Sequence, residues 1–209
     1  PRCDVFWNNE ILGTLDLGKR GLFVPYSGPQ WARFPAAFKD ADGLWTGFAA
    51  RMRVIIRNQR TQGGELSAAP SGERWAIAKP LYGTTLTHFT VLWEHWGAEK
   101  TKAWHREMRT SGIRVLNGNA AVKDAVGAGV CDAGWTDTDD FFAAKDAGLP
   151  VEMEPVRLED GKTICIPNSV AIIHGTKREA LARKLVDFLL SEQTELTLAK
   201  SKARQIPLG

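Results

Sequence analysis

The chain has 209 residues, 44% of them hydrophobic and 24% charged, with a formal net charge of +3, which suits one large domain or two small lobes with a real core. Lys and Arg are scattered among acids rather than gathered into a stripe, which excludes a nucleic-acid groove and nucleic acid as a partner. No apolar run approaches the length of a membrane span.

In chain order, Val5-Phe6-Trp7 reads as a short strand ending at Asn8-Asn9-Glu10. Ile11 to Gly18 reads as a short helix, and Gly21 to Pro35 carries the Gly and Pro punctuation of a loop. Arg53-Val54-Ile55-Ile56-Arg57 is rich in β-branched residues and predicts a strand. Arg51, Arg53 and Arg57 alternate along it as a solvated or ion-paired face. The segment from Gln59 to Gly72 is polar, Gly-, Ser- and Pro-rich, and reads as a linker. A strand at 75–78, helices at 85–96 and 98–110, a strand at 113–116 and a helix at 120–128 opened by Asn119 follow. Then come a strand at 130–135, a helix at 139–147, a strand at 151–156, a turn at 159–162 and a β-rich run at 163–173 interrupted by Pro167-Asn168. Thr176-Lys177-Arg178-Glu179 has the spacing of a capping box before a helix carrying Leu181, Leu185, Phe188 and Leu189. Strands alternating with helices predict an α/β fold with mostly parallel sheets and helices on both faces.

Two polar strand-to-helix junctions stand out. One is Cys131 to Phe142, where Thr136, Asp137, Thr138, Asp139 and Asp140 follow a short apolar strand and precede a helix. The other is Pro80-Leu81-Tyr82-Gly83-Thr84-Thr85 after the strand at 75–78. Ligands of open α/β sheets sit at the carboxyl ends of strands, so the two junctions predict one shared cleft. Two long strands, 51–58 and 163–173, flank the middle block, which predicts two lobes: 1–57 with the return segment 163–209, and 58–162. Cys3, Cys131 and Cys165 show no Cys-x-x-Cys spacing and read as buried hydrophobes rather than a zinc site. Of the eight Trp residues, Trp93, Trp96 and Trp104 read as core, while Trp7 and Trp135 adjoin the polar junctions as candidate ligand walls.

The motifs together resemble the periplasmic solute-binding proteins of ABC importers, in particular the ferric-iron-binding group with the type 2 periplasmic-binding fold. The residues that carry the resemblance are Asp4-Val5-Phe6-Trp7, Trp45-Thr46-Gly47-Phe48, Arg51 to Asn58, Pro80 to Thr85, Gly118-Asn119, Thr136 to Asp140, Ile166-Pro167-Asn168 and Asp187 to Ser191. The resemblance implies a two-lobed binding component in the periplasm or another extracytoplasmic space. It implies a captured metal ion or small anionic solute, the importer's membrane subunits as partners, no catalysis and no required cofactor. It also implies a strand, a helix and a second strand ahead of the Asp4-Val5-Phe6 segment. Without them the first lobe is expected to be incomplete, with an open sheet edge that favours self-association. The adjacent tyrosines that hold Fe³⁺ in the family fall on Asp139-Asp140, and Tyr26 and Tyr82 lie elsewhere.

Carboxylate oxygens suit hard cations, so Asp139 and Asp140 are candidate metal ligands, with Glu10 and Asn9 completing the shell. The ordinary alternative is that Thr138 or Asp139 caps the following helix. Gly83, Thr84 and Thr85 at a helix N-terminus form a candidate anion site. The resemblance places there an anion accompanying the metal, with Asn119 as a further polar contact. Plain N-capping by Thr84 or Thr85 is the alternative. Thr136, Asp137, Trp7 and Asn8 complete the candidate ligand-binding set, and His88, one turn after Thr84, reads as structural. Two other functions compete. The effector-sensing domain of a transcription regulator shares the two-lobed fold. Asp137-Thr138-Asp139 is also similar to the nucleophile motif of haloacid-dehalogenase-type phosphatases, although Phe141 stands where that motif needs a small residue.

Overall fold

The computed structural model describes residues 2–60 and 74–209. Most of the expected linker lies outside the described residues. The chain forms two compact units, Pro1–Arg51 with Ile166–Gly209, and Met52–Cys165. No described helix is long and apolar enough to cross a membrane.

In the first unit, β1 (Val5–Asn8) and β2 (Phe23–Val24) both pair antiparallel with β8 (Cys165–Ile173), Val5 opposite Ile172 and Phe23 opposite Ile173. β8 continues through Pro167-Asn168 rather than breaking there. The stretch expected to be a loop after α1 (Leu12–Lys19) contains β2 and a short 3₁₀ turn at Trp31–Arg33. Phe34, Phe48, Val170 and Ile172 pack with Ala182, Val186, Leu189 and Leu190 into one core. The last four come from α6 (Glu179–Leu189) and the residue that ends it. The capping box does not form. Arg178 is the N-cap and makes no side-chain cap bond, while Thr176 accepts from the Arg178 amide and donates to Asp4. Glu179 pairs instead with Arg183 one turn on. A hydroxyl cap is found on α7 (Glu192–Lys200), where Ser191 accepts from the Thr194 amide.

The strand β3 (Thr46–Asn58) starts in the first unit and ends in the second, beginning ahead of the expected 51–58 and ending with it. Within the second unit it pairs antiparallel with β6 (Ala133–Asp137) and with β7 (Val151–Pro155). β6 pairs parallel with β4 (Trp75–Ala78), and β4 pairs parallel with β5 (Arg114–Leu116). The parallel pairing expected from alternating strands and helices therefore holds over β6, β4 and β5. The sheet as a whole is mixed, because β3 enters from the other unit running against them. The helices α2 (Gly83–Trp96), α3 (Ala98–Thr110), α4 (Asn119–Gly127) and α5 (Thr138–Asp146) connect these strands. Ile56, Ala76, Val122, Val126, Cys131 and Phe141 form the core. Gly134 is required where α4 crosses β6: a Cβ there would lie 2.4 Å from Val122 Cγ1 and 2.8 Å from the Ala76 carbonyl oxygen.

Three expectations about side chains change. Cys3 is exposed, because it precedes the first strand. Trp93 is 43% exposed, because it lies on the outer face of α2. Arg51 and Arg53 are buried, so of the two readings of their face the solvated one fails, while the ion-paired one applies to Arg53, which pairs with Asp137.

Candidate functional site

The antiparallel register sets Arg53 of β3 directly opposite Asp137 at the end of β6. Both side chains are buried, Arg53 at 0% and Asp137 at 4% exposure, and Arg53 Nη1 donates to Asp137 Oδ1 at 2.7 Å. Two helix starts converge on the other carboxylate oxygen. Thr84 Oγ1, in the first turn of α2, donates to Asp137 Oδ2 at 2.5 Å. Asn119 Nδ2, which opens α4, donates to the same atom at 2.8 Å. The donors also bond one another: Asn119 Nδ2 to Thr84 Oγ1 at 2.8 Å, Thr85 Oγ1 to Asn119 Oδ1 at 3.1 Å, and Arg53 Nη1 to both Thr84 Oγ1 and Asn119 Oδ1 at 3.3 Å. A charge removed from water needs such company, since an unpaired buried charge is costly.

Gly83, at φ +66°, makes the left-handed turn that starts α2, a conformation that other residues adopt only with strain. The N-cap of α2 is Tyr82, so neither Thr84 nor Thr85 is the cap. Likewise the N-cap of α5 is Asp137, with no side-chain cap bond, and Thr138 and Asp139 lie within the helix. Thr138 Oγ1 is occupied by the Met52 amide at 3.2 Å.

Beside Asp137, one oxygen from each of Asp137, Asp139 and Asp140 can be chosen so that all lie within 4.8 Å of one another. Thr136 Oγ1 donates to Asp140 Oδ2 at 2.8 Å. Burial, reinforced by the neighbouring Asp139 and Asp137 charges, pushes the Asp140 carboxyl up to about 6 against the pull of Thr136 and Lys123. Removing water disfavours an ionised acid, and like charges add to the effect.

The structure thus brings Gly83, Thr84, Thr85, Asn119, Thr136, Asp137, Asp139 and Asp140 into the second unit. Trp7, Asn8, Asn9 and Glu10 belong to the first unit. There Asn8 Nδ2 donates to Glu10 Oε1 at 2.6 Å, and Glu10 accepts the Leu12 and Gly13 amides at 2.6 and 2.9 Å, tying the start of α1 to the end of β1. The Asn9 carbonyl accepts from Arg51. Trp7 is 56% exposed, its ring 5.9 Å from that of Phe48. Trp135 lies two residues before Asp137 on β6 and packs on Trp104 and His88, at 5.7 and 4.2 Å.

Arg53 is the participant the sequence reading left out of the site, whereas His88 is structural, as the sequence predicts. Arg53 Nε donates to His88 Nδ1 at 3.3 Å, so His88 supports the arginine from behind. A buried arginine two positions from a second one, in an otherwise apolar strand, was the available signal.

No family model matches the chain. Its fold is that of the type 2 periplasmic binding proteins. Iron-bound HitA from Pseudomonas aeruginosa superposes with a TM-score of 0.89 at 20% identity, over 100% of this chain and 70% of that one. In sequence the chain is similar to the Fe(3+)-binding periplasmic protein of Serratia marcescens, 29% identical over 140 residues that make up 63% of this chain and 41% of that protein. It is similar also to iron uptake protein A2 of Synechocystis sp. (strain ATCC 27184 / PCC 6803 / Kazusa), 26% identical over 184 residues, 80% of this chain and 52% of the relative. The chain spans about half the length of the curated relatives it matches.

Proposed function

We propose that this chain is the ligand-binding portion of an extracytoplasmic solute-binding component of an ABC importer, and that its second unit captures a hard metal ion, iron included, through Asp139 and Asp140. The observation that carries the reading is the placement of these two carboxylates at the start of α5 beside Asp137, with one oxygen of each within 4.8 Å of the others. Arg53 pairs with Asp137, and the neighbouring Asp139 and Asp140 offer carboxylate oxygens, the ligand type that hard metals prefer. Both curated relatives are named as iron-binding or iron-uptake proteins, which supports a binding protein over an enzyme or a regulator's sensing domain. Thr136, Gly83, Thr84, Thr85 and Asn119 act as the surrounding polar wall. Trp7, Asn8, Asn9 and Glu10 serve the first unit's own polar end of β1. The proposed partners are the metal and the importer's membrane subunits.

Calorimetric titration of the protein with Mn²⁺ and with ferric citrate tests this. One ion bound per chain is expected, weakened at least about tenfold, or roughly 1.4 kcal/mol, in D139N/D140N. No binding by the parent, or equal binding by the variant, overturns the reading.

A further inference from the structure

We infer that the second unit carries a further ligand site, apart from the acidic cluster, that takes a flat aromatic carboxylate. The site is a cavity of about 520 Å³ between α2, α3, β6 and the chain from Glu154 to Glu159, with Trp96, Trp104, Trp135, His88 and Arg157 among its lining residues. Asp139 and Asp140 do not line it, so the site is independent of the metal function proposed above.

The walls suit a flat ring. Trp104 stacks on Trp135 with ring centroids 5.7 Å apart, and Trp96 stands edge-on to Trp104 at 5.4 Å. Rings gain from offset or edge-on contact with further rings, and the volume is that of a small-molecule pocket.

Two donors among the lining residues are unmet. Arg53 Nε occupies His88 Nδ1, so the ring proton sits on Nε2. That nitrogen and Trp135 Nε1 are both buried with no hydrogen-bond partner among the described residues, although buried polar groups are nearly always paired. Each calls for an acceptor oxygen.

The charges of the lining fix the sign of the ligand. Glu154 is ion-paired with Arg57, and Glu159 with Lys100. Arg157 is in no ion pair among the described residues, and its Nη1 donates to the Gly161 carbonyl at 3.2 Å. The uncompensated charge is therefore a guanidinium, which favours a carboxylate over an ammonium.

The alternative is a packed aromatic cluster whose two ring nitrogens are met by ordered water. A water-filled cluster has no preference for an aromatic anion, so binding separates the two readings. The experiment titrates the parent, R157Q, W135F and D139N/D140N calorimetrically at neutral pH with cinnamate, cinnamyl alcohol and cinnamylammonium. One cinnamate per chain is expected, with a dissociation constant of about 100 μM or tighter and at least about tenfold weaker binding of the neutral and cationic probes. R157Q, at an exposed position, should weaken cinnamate about fivefold or more and leave cinnamyl alcohol within about twofold. W135F keeps a ring but deletes the indole N–H, and should weaken cinnamate about tenfold. If W135F fails to fold, R157Q decides alone. D139N/D140N should bind cinnamate as the parent does. No saturable cinnamate binding by the parent, equal affinity for the three probes, parent-like cinnamate binding by R157Q, or loss of binding in D139N/D140N each overturns the inference.

Discussion

Arg53 Nε donates to His88 Nδ1 at 3.3 Å, and both side chains are fully buried. A guanidinium can only donate, so Nδ1 must be the acceptor and the ring proton sits on Nε2. His88 is therefore held as neutral imidazole. Burial, with the Arg53 charge adding to it, places its pKa well below the usual histidine value.

That pairing makes stability depend on pH with a definite sign. Below the unfolded pKa of about 6.5 the unfolded chain takes up a proton that folded His88 refuses, so the fold loses up to about 1.4 kcal/mol per pH unit as pH falls. Above that value His88 contributes no slope. Urea unfolding of the parent and H88Q between about pH 5 and 8 checks this. The parent-minus-variant difference should be flat at the alkaline end and shrink toward acid. A constant difference rejects the assignment.

Asp140 acts in the opposite direction. Its carboxyl, raised to about 6 by burial and its acidic neighbours, is ionised at neutral pH at a cost. D140N is expected to stabilise the metal-free protein by roughly 1–3 kcal/mol at pH 7, read from the urea midpoint. The gain should vanish below the unfolded pKa of aspartate. A neutral or destabilising substitution at pH 7 would show that Asp140 is already compensated.

Each tyrosine hydroxyl has a hydrogen-bond partner within its own unit. Tyr26, in the first unit, donates to Asp187 at 2.7 Å, and burial with that carboxylate raises its hydroxyl to about 12. Tyr82 is 66% exposed and donates to the Asn117 carbonyl at 3.2 Å. Ferric citrate should therefore produce no strong visible phenolate-to-iron band. Its appearance, and its loss in Y26F or Y82F, would identify a tyrosine ligand.

Glu195 closes the C-terminal segment onto the first unit. Its buried carboxylate accepts the amides of Ala49, Leu208 and Gly209, each at 2.9 Å. E195Q keeps the shape but turns an amide NH₂ toward a donor, so a loss of about 2–4 kcal/mol is expected in urea unfolding. The exposed neighbour variant E192Q should change stability by less than about 0.5 kcal/mol. Equal effects at the two positions would contradict the burial of Glu195's charge.

Sequence alone determined the kind of fold and the location of its polar junctions. β-Branched runs, helical spacing, and Gly or Pro stops are local signals, and they placed β1, β4, β6 and α2 to α5 within a few residues. The acids at 137–140 and the Gly83-Thr84-Thr85 start were likewise visible as clusters after strands. What those residues do was decided by tertiary structure. Arg53 and Asp137 are 84 positions apart, and only the β3–β6 register makes them partners. Asp137 and Thr84 had ordinary local roles open to them as helix caps, and both gave these up for long-range bonds. The same held at Thr176, whose hydroxyl turned from Glu179 to Asp4. A short polar side chain takes whichever donor or acceptor the packed chain brings nearest once water is gone, and that competition has no sequence signature.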